Sequence, residues 1–135
     1  MEQKEFTGYI ISRITDRFPQ FKNSCTTKAN EVVDIDFKSR NGKLTLWLTT
    51  QDQEVTIGFT GDHECDWHTH MSLFNAYTPE EELLTAIDLI ENILSDKEVI
   101  VHSSLSGYFL ANNIENVMNQ KKKEEVIVTA YWGDL

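Results

Sequence analysis

Between residues 31 and 60, apolar and polar side chains alternate with a period of two, the pattern of a half-buried β-strand. Val33, Ile35 and Phe37 alternate with Asp34, Asp36 and Lys38. Leu44, Leu46 and Leu48 alternate with Thr45, Trp47 and Thr49. Val55, Ile57 and Phe59 alternate with Glu54, Thr56 and Gly58. The dipeptide Asn41-Gly42 separates the first two runs and predicts a type I′ hairpin, because both residues tolerate positive φ. A short polar turn at Gln51–Gln53 separates the second and third. These runs predict a three-stranded antiparallel meander with one buried face.

Such a face needs a cover, and two amphipathic segments supply it. Phe6, Ile10, Ile14 and Phe18 recur every fourth residue, flanked by Tyr9 and Ile11, which predicts a helix over 3–18. Pro19 stops it, since a proline drives the preceding residue out of helical conformation. Thr78-Pro79-Glu80-Glu81 reads as an N-cap, a proline at the first helical position and a capping-box acid. From there Leu83, Ile87, Ile90 and Leu94, with Leu84, Ala86 and Ile93, form a broad apolar stripe to Asp96. Strands are predicted at 98–103 and 106–111, a short helix at 113–120 and a last strand at 125–132. In that strand Val126, Val128, Ala130 and Trp132 share one face, which gives Trp132 a core role. The predicted order is α-β-β-β-α-β-β-(α)-β. No linker or repeat divides the 135 residues, so residues 1–135 are expected to form a single α+β domain with a largely antiparallel sheet covered by two main helices.

Charge narrows the function. The chain has 22 acidic and 12 basic residues, a net charge of −10. The acids and bases of residues 1–60 balance, as do those of 120–135. The whole excess falls in residues 61–119, where Lys97 is the one base. An acidic surface repels phosphate, which argues against nucleic acid and anionic lipid as partners. It favours a cationic protein partner, or it serves as a solvated face. The first residues carry acids and no long apolar run, so neither a signal peptide nor a membrane span is expected. Cys25 and Cys65 do not make a disulfide framework, and the expected compartment is the cytoplasm.

Three of the four histidines lie in Asp62-His63-Glu64-Cys65-Asp66-Trp67-His68-Thr69-His70. If residues 66–70 are extended, Asp66, His68 and His70 point to one side, a three-ligand set for a divalent transition metal such as zinc. His63 and Cys65 then fall on the other side, and His102 is a remote candidate ligand. The same residues also suit an acid–base pair or a polar strand edge. Asp-x-His-x-His opens several metallohydrolase barrels, but too few residues follow His70 for such a barrel. The nucleophile-elbow, phosphate-loop, dinucleotide, Cys-x-x-Cys and His-Glu-x-x-His patterns are absent, so no catalytic residue is assigned. Trp47 stands among threonines on the polar side of its strand. It is a contact anchor if nothing covers that face, and a packed residue if a loop or the first helix does.

The stretch VTIGFTGDHECDWHTHM (Val55–Met71), the acidic helix from Thr78 and the closing AYWGDL together resemble small bacterial immunity proteins of polymorphic-toxin systems. The element Trp67-His68-x-His70 carries the likeness most directly. The resemblance implies a non-enzymatic cytosolic protein that neutralises a cognate toxin by tight binding, in some families an acidic partner of a basic nuclease. It requires no cofactor. The expected partner-contact residues are Trp47, Trp67, Glu80, Glu81, Asp88 and Glu91. The competing expectation is a small metal-binding protein or metal-dependent enzyme built on Asp66, His68 and His70.

Overall fold

The alternating runs pair in register in a computed structural model that describes residues 1–61 and 67–135. The strands β1 (Cys25–Thr27), β2 (Val33–Lys38), β3 (Leu44–Thr49), β4 (Thr56–Gly61) and β5 (Trp67–His70) form one antiparallel sheet in chain order. The expected meander is its centre. Strand β1 extends it on one side, pairing Cys25 with Ile35 and Thr27 with Val33, and β5 extends it on the other. All three β1 residues are exposed, so no apolar alternation announces that strand.

Cross-strand partners in an antiparallel sheet point to the same face. Ile35, Leu48 and Ile57 form one inward row, and Phe37, Leu46 and Phe59 the next. Against these rows pack α1 (Gln3–Arg17) and α2 (Pro79–Leu94), contributing Phe6, Ile10 and Ile14 and Leu83, Ala86, Ile90 and Ile93 to one core. Helix α2 starts as its sequence requires: the Thr78 hydroxyl accepts the Glu81 amide at 3.1 Å, and Pro79 opens the first turn.

The turns differ from expectation. Asn41 does not adopt positive φ; only Gly42 does, at 72°. The β2–β3 connection is a longer loop in which the Asn41 side chain accepts from the Ser39 hydroxyl (2.8 Å) and the Lys43 amide (3.0 Å). Its backbone is claimed elsewhere, since the Asn41 amide donates to the Leu135 carbonyl at 2.6 Å. The turns with two left-handed central residues are instead Asn30-Glu31 and Asp52-Gln53, with φ between 56° and 64°. Both are anchored by α1. Gln3 donates to the Thr50 carbonyl (2.7 Å) and accepts from the Gln53 amide (2.9 Å). The Thr7 hydroxyl donates to the Glu31 carbonyl at 2.7 Å.

After α2 the chain forms a second, three-stranded sheet rather than prolonging the first. It comprises β6 (Val99–Ser103) between β7 (Gly107–Ala111) and β8 (Ile127–Ala130). Helix α3 (Ile114–Asn119) lies between β7 and β8 in sequence, and its Val117 joins Val99 and Val101 in a small second core. The expected faces of the last strand are reversed. Val126 and Val128 are exposed, while Ile127 and Tyr131 pack on the second core. Trp132 leaves the strand in a closing turn and stacks on Phe37 with ring centroids 5.9 Å apart. It reaches the main core by that route rather than through the strand face. Among the described residues, no helix is long and apolar enough to cross a membrane.

Candidate functional site

Strand alternation and register place the sequence candidates on two separate surfaces. The first is the face of the five-stranded sheet turned away from α1 and α2. One cross-strand row there runs Asp36, Trp47, Gly58, His68. The next runs Asp34, Thr49, Thr56, His70. His68 and His70 do share a side, with ring centroids 5.3 Å apart. His70 is held: its Nδ1 lies 2.8 Å from the Thr56 hydroxyl and 3.8 Å from Glu54 Oε1. Glu54 is fixed in turn by the Ser72 hydroxyl, which donates to Oε1 at 2.7 Å. His68 remains exposed.

Of the expected ligand trio Asp66, His68 and His70, the described residues contain the two imidazoles. Among the described residues, no group of three His, Cys, Asp or Glu is placed to hold a metal ion. Asp66, His63 and Cys65 lie outside the described residues. His102 stands on β6 in the second sheet, edge-on to the Tyr108 ring at 4.8 Å.

Trp47 is half-buried and belongs to neither core cluster. Its indole lies across Gly58, where an added Cβ would come within 2.4 Å of the ring. A glycine there lets the ring lie on the sheet. Trp67, one residue out of phase with His68, faces the other way. It stacks on Phe59 at 5.2 Å and packs against the main core.

The second surface is the solvent side of α2 and the segment leading into it. Glu80, Glu81 and Asp88 are exposed there, with Leu84 between them. Glu91 is engaged, its carboxylate 2.7 Å from the Arg17 guanidinium. Glu82 points inward: it is buried and accepts the Val55 amide at 2.9 Å. Burial pushes its carboxyl above the ordinary range; the Val55 hydrogen bond opposes this and the nearby Glu54 charge adds to it. Just before α2, Leu73, Phe74 and Tyr77 are 72%, 53% and 73% exposed. Sequence reasoning missed this trio. Its signal was an aromatic and aliphatic stretch outside any amphipathic period, beside an acidic first turn.

No protein-family model, curated protein or solved structure matches this chain. Fold and surfaces together define an α+β domain with one open sheet face and one acidic, apolar-studded helix face.

Proposed function

We propose that the protein is a binding module that docks a cationic protein partner, in the manner of an immunity or inhibitor protein that neutralises a toxin. The observation that carries this reading is the exposure of Leu73, Phe74 and Tyr77 directly before a helix whose outer side presents Glu80, Glu81, Leu84 and Asp88. Exposed aromatic and aliphatic groups supply the desolvated centre of an interface. The surrounding carboxylates steer a basic partner and reject an acidic one. The acidic net charge and the resemblance of the 55–71 stretch to immunity proteins point the same way.

The test pairs this protein with a basic toxin domain encoded beside its gene. Binding kinetics are followed at two salt concentrations. Phe74→Ser and Tyr77→Ser are expected to speed dissociation, each costing about 2 kcal/mol of affinity. Glu80→Lys with Glu81→Lys is expected to slow association about tenfold at low salt, with little effect on dissociation. Unchanged kinetics in both sets would remove this surface from the contact.

A further inference from the structure

The open sheet face carries a second site, which does not rest on the docking reading because it shares no residue with it. Trp47 is a large aromatic on the sheet face turned away from α1 and α2, seated on Gly58 and in neither core cluster of the described residues. The tyrosine and phenylalanine beside the arginines of α1 are already occupied: Arg13 lies 4.1 Å over Tyr9 and Arg17 lies 5.0 Å over Phe18. No described cation of this chain sits on Trp47 in that way. Directly across the strand pair is Asp36, exposed and without an ion pair among the described residues. On the other side of Gly58 is the exposed His68, its ring 6.3 Å from the indole. The flanking rows on this face are Lys38, Thr45 and Thr60 on one side and Asp34, Thr49, Thr56 and His70 on the other, with the threonines next to Trp47 keeping the surface low.

We infer that Trp47 and Asp36 form a receiving site for the guanidinium group of an arginine in a polypeptide ligand. A guanidinium is planar and weakly hydrated, so it stacks on an indole while its edge donates to a carboxylate. Cross-strand neighbours lie about 5 Å apart at Cβ, and since the indole leans toward Gly58, a guanidinium that meets both groups lies over the Cβ side of the ring, next to the Asp36 carboxylate. An ammonium, a compact and strongly hydrated charge, uses the ring less well. Tryptophan gives the strongest cation–π attraction, and the carboxylate supplies the matching charge.

The experiment follows the indole N–H signal of Trp47 by NMR, assigned through its loss in Trp47→Phe. The probes are blocked tripeptides, glycyl-arginyl-glycine and its lysine and citrulline counterparts, with chitotriose as a neutral sugar. The arginine peptide is expected to shift the signal saturably. The citrulline peptide and chitotriose should leave it in place, and the lysine peptide should bind about threefold or more weakly. Asp36→Asn should weaken the arginine response about threefold or more, while Asp16→Asn, exposed on α1, should not change it. The wild-type spectrum, retained in Asp36→Asn, shows that the fold is kept. Equal responses to arginine and citrulline would overturn the inference. So would an unchanged response in Asp36→Asn, or a response to chitotriose alone.

Discussion

Gln53 shows how a single residue can be wrong for its place yet held there. It sits at φ 56°, a conformation that costs a residue with a Cβ about 1–2 kcal/mol. What secures it is its backbone amide, which donates to Gln3 Oε1 at 2.9 Å. A glycine keeps that amide and removes the Cβ conflict, at the cost of greater freedom in the unfolded chain. Gln53→Gly is therefore expected to raise stability by up to about 1 kcal/mol, read as a higher midpoint in urea with an unchanged slope. A lower midpoint would mean that the Gln53 side chain contributes more than its strain removes. Asp52 in the same turn is better suited, because short polar side chains tolerate the left-handed region. Asn41-Gly42 is the reverse case. It has the composition of a type I′ turn, but the Asn41 side chain and amide are spent on Ser39, Lys43 and Leu135.

At the scale of elements, α2 joins the sheet through a buried carboxylate. Glu82 reaches under the helix to the Val55 amide at the entry to β4. Burial raises its carboxyl in the folded state above the value it has in the unfolded chain. Over the interval between those two values the folded state holds a proton that the unfolded state has released. Stability from this group is then fully present in acid and falls as pH rises through that interval. Glu82→Gln keeps an oxygen for the Val55 amide without the charge. It is expected to be more stable than the wild type at neutral pH, and the difference should shrink towards acid. Unfolding curves at several pH values check this; a difference independent of pH would refute it. The elements legible in sequence are those with strong local chemistry. Helix α2 is marked by its Thr78-Pro79 start, and β3 and β4 by strict alternation. Strand β1 is held mainly by backbone pairing, with the Cys25 thiol donating to the Phe21 carbonyl, and its exposed Cys25, Thr26 and Thr27 give no pattern to read. In β8, Val126 and Val128 look like a core face, yet Ile127 is the residue turned inward. The sharing of one side by His68 and His70 followed from period two, whereas the meeting of His68 with Trp47 depends on the β3–β4–β5 register. The exposure of Leu73 and Phe74, close behind the buried Met71, had only a weak signal, an apolar stretch that fits no amphipathic period.

Across the whole molecule, charge is sorted by direction rather than by sequence half. The C-terminal ends of β1, β3 and β5 and the starts of α1 and α2 meet at one end, as the strand register and the contacts of Gln3, Thr7 and Glu82 with the 31, 50–53 and 55 backbone require. The acids Glu2, Glu5, Glu31, Asp52 and Glu54 of the first half belong to that end, offset in part by Lys4 and Lys28, together with Glu80 and Glu81 of α2. The opposite direction receives Arg13, Arg17, Lys38, Arg40 and Lys43 from the same half. Residues 1–60 balance in sum, yet in space their acids reinforce the excess that sequence places entirely in 61–119. Leu73 and Phe74 follow directly on the end of β5 and so emerge at the acidic end. If a cationic partner docks there, its approach is guided by the field of the whole end and not by α2 alone. Glu31→Lys with Asp52→Lys should then slow association with a basic partner several-fold at low salt, although neither residue lies on α2. Reversing Lys38 and Arg40 to glutamate at the far end should leave the rate nearly unchanged, because exposed charges beyond a Debye length of about 10 Å are screened at 0.1 M salt. Stopped-flow association at two ionic strengths separates the cases. Equal slowing by both pairs would show that net charge alone governs approach, and that the polarity built by the fold has no part in choosing the docking end.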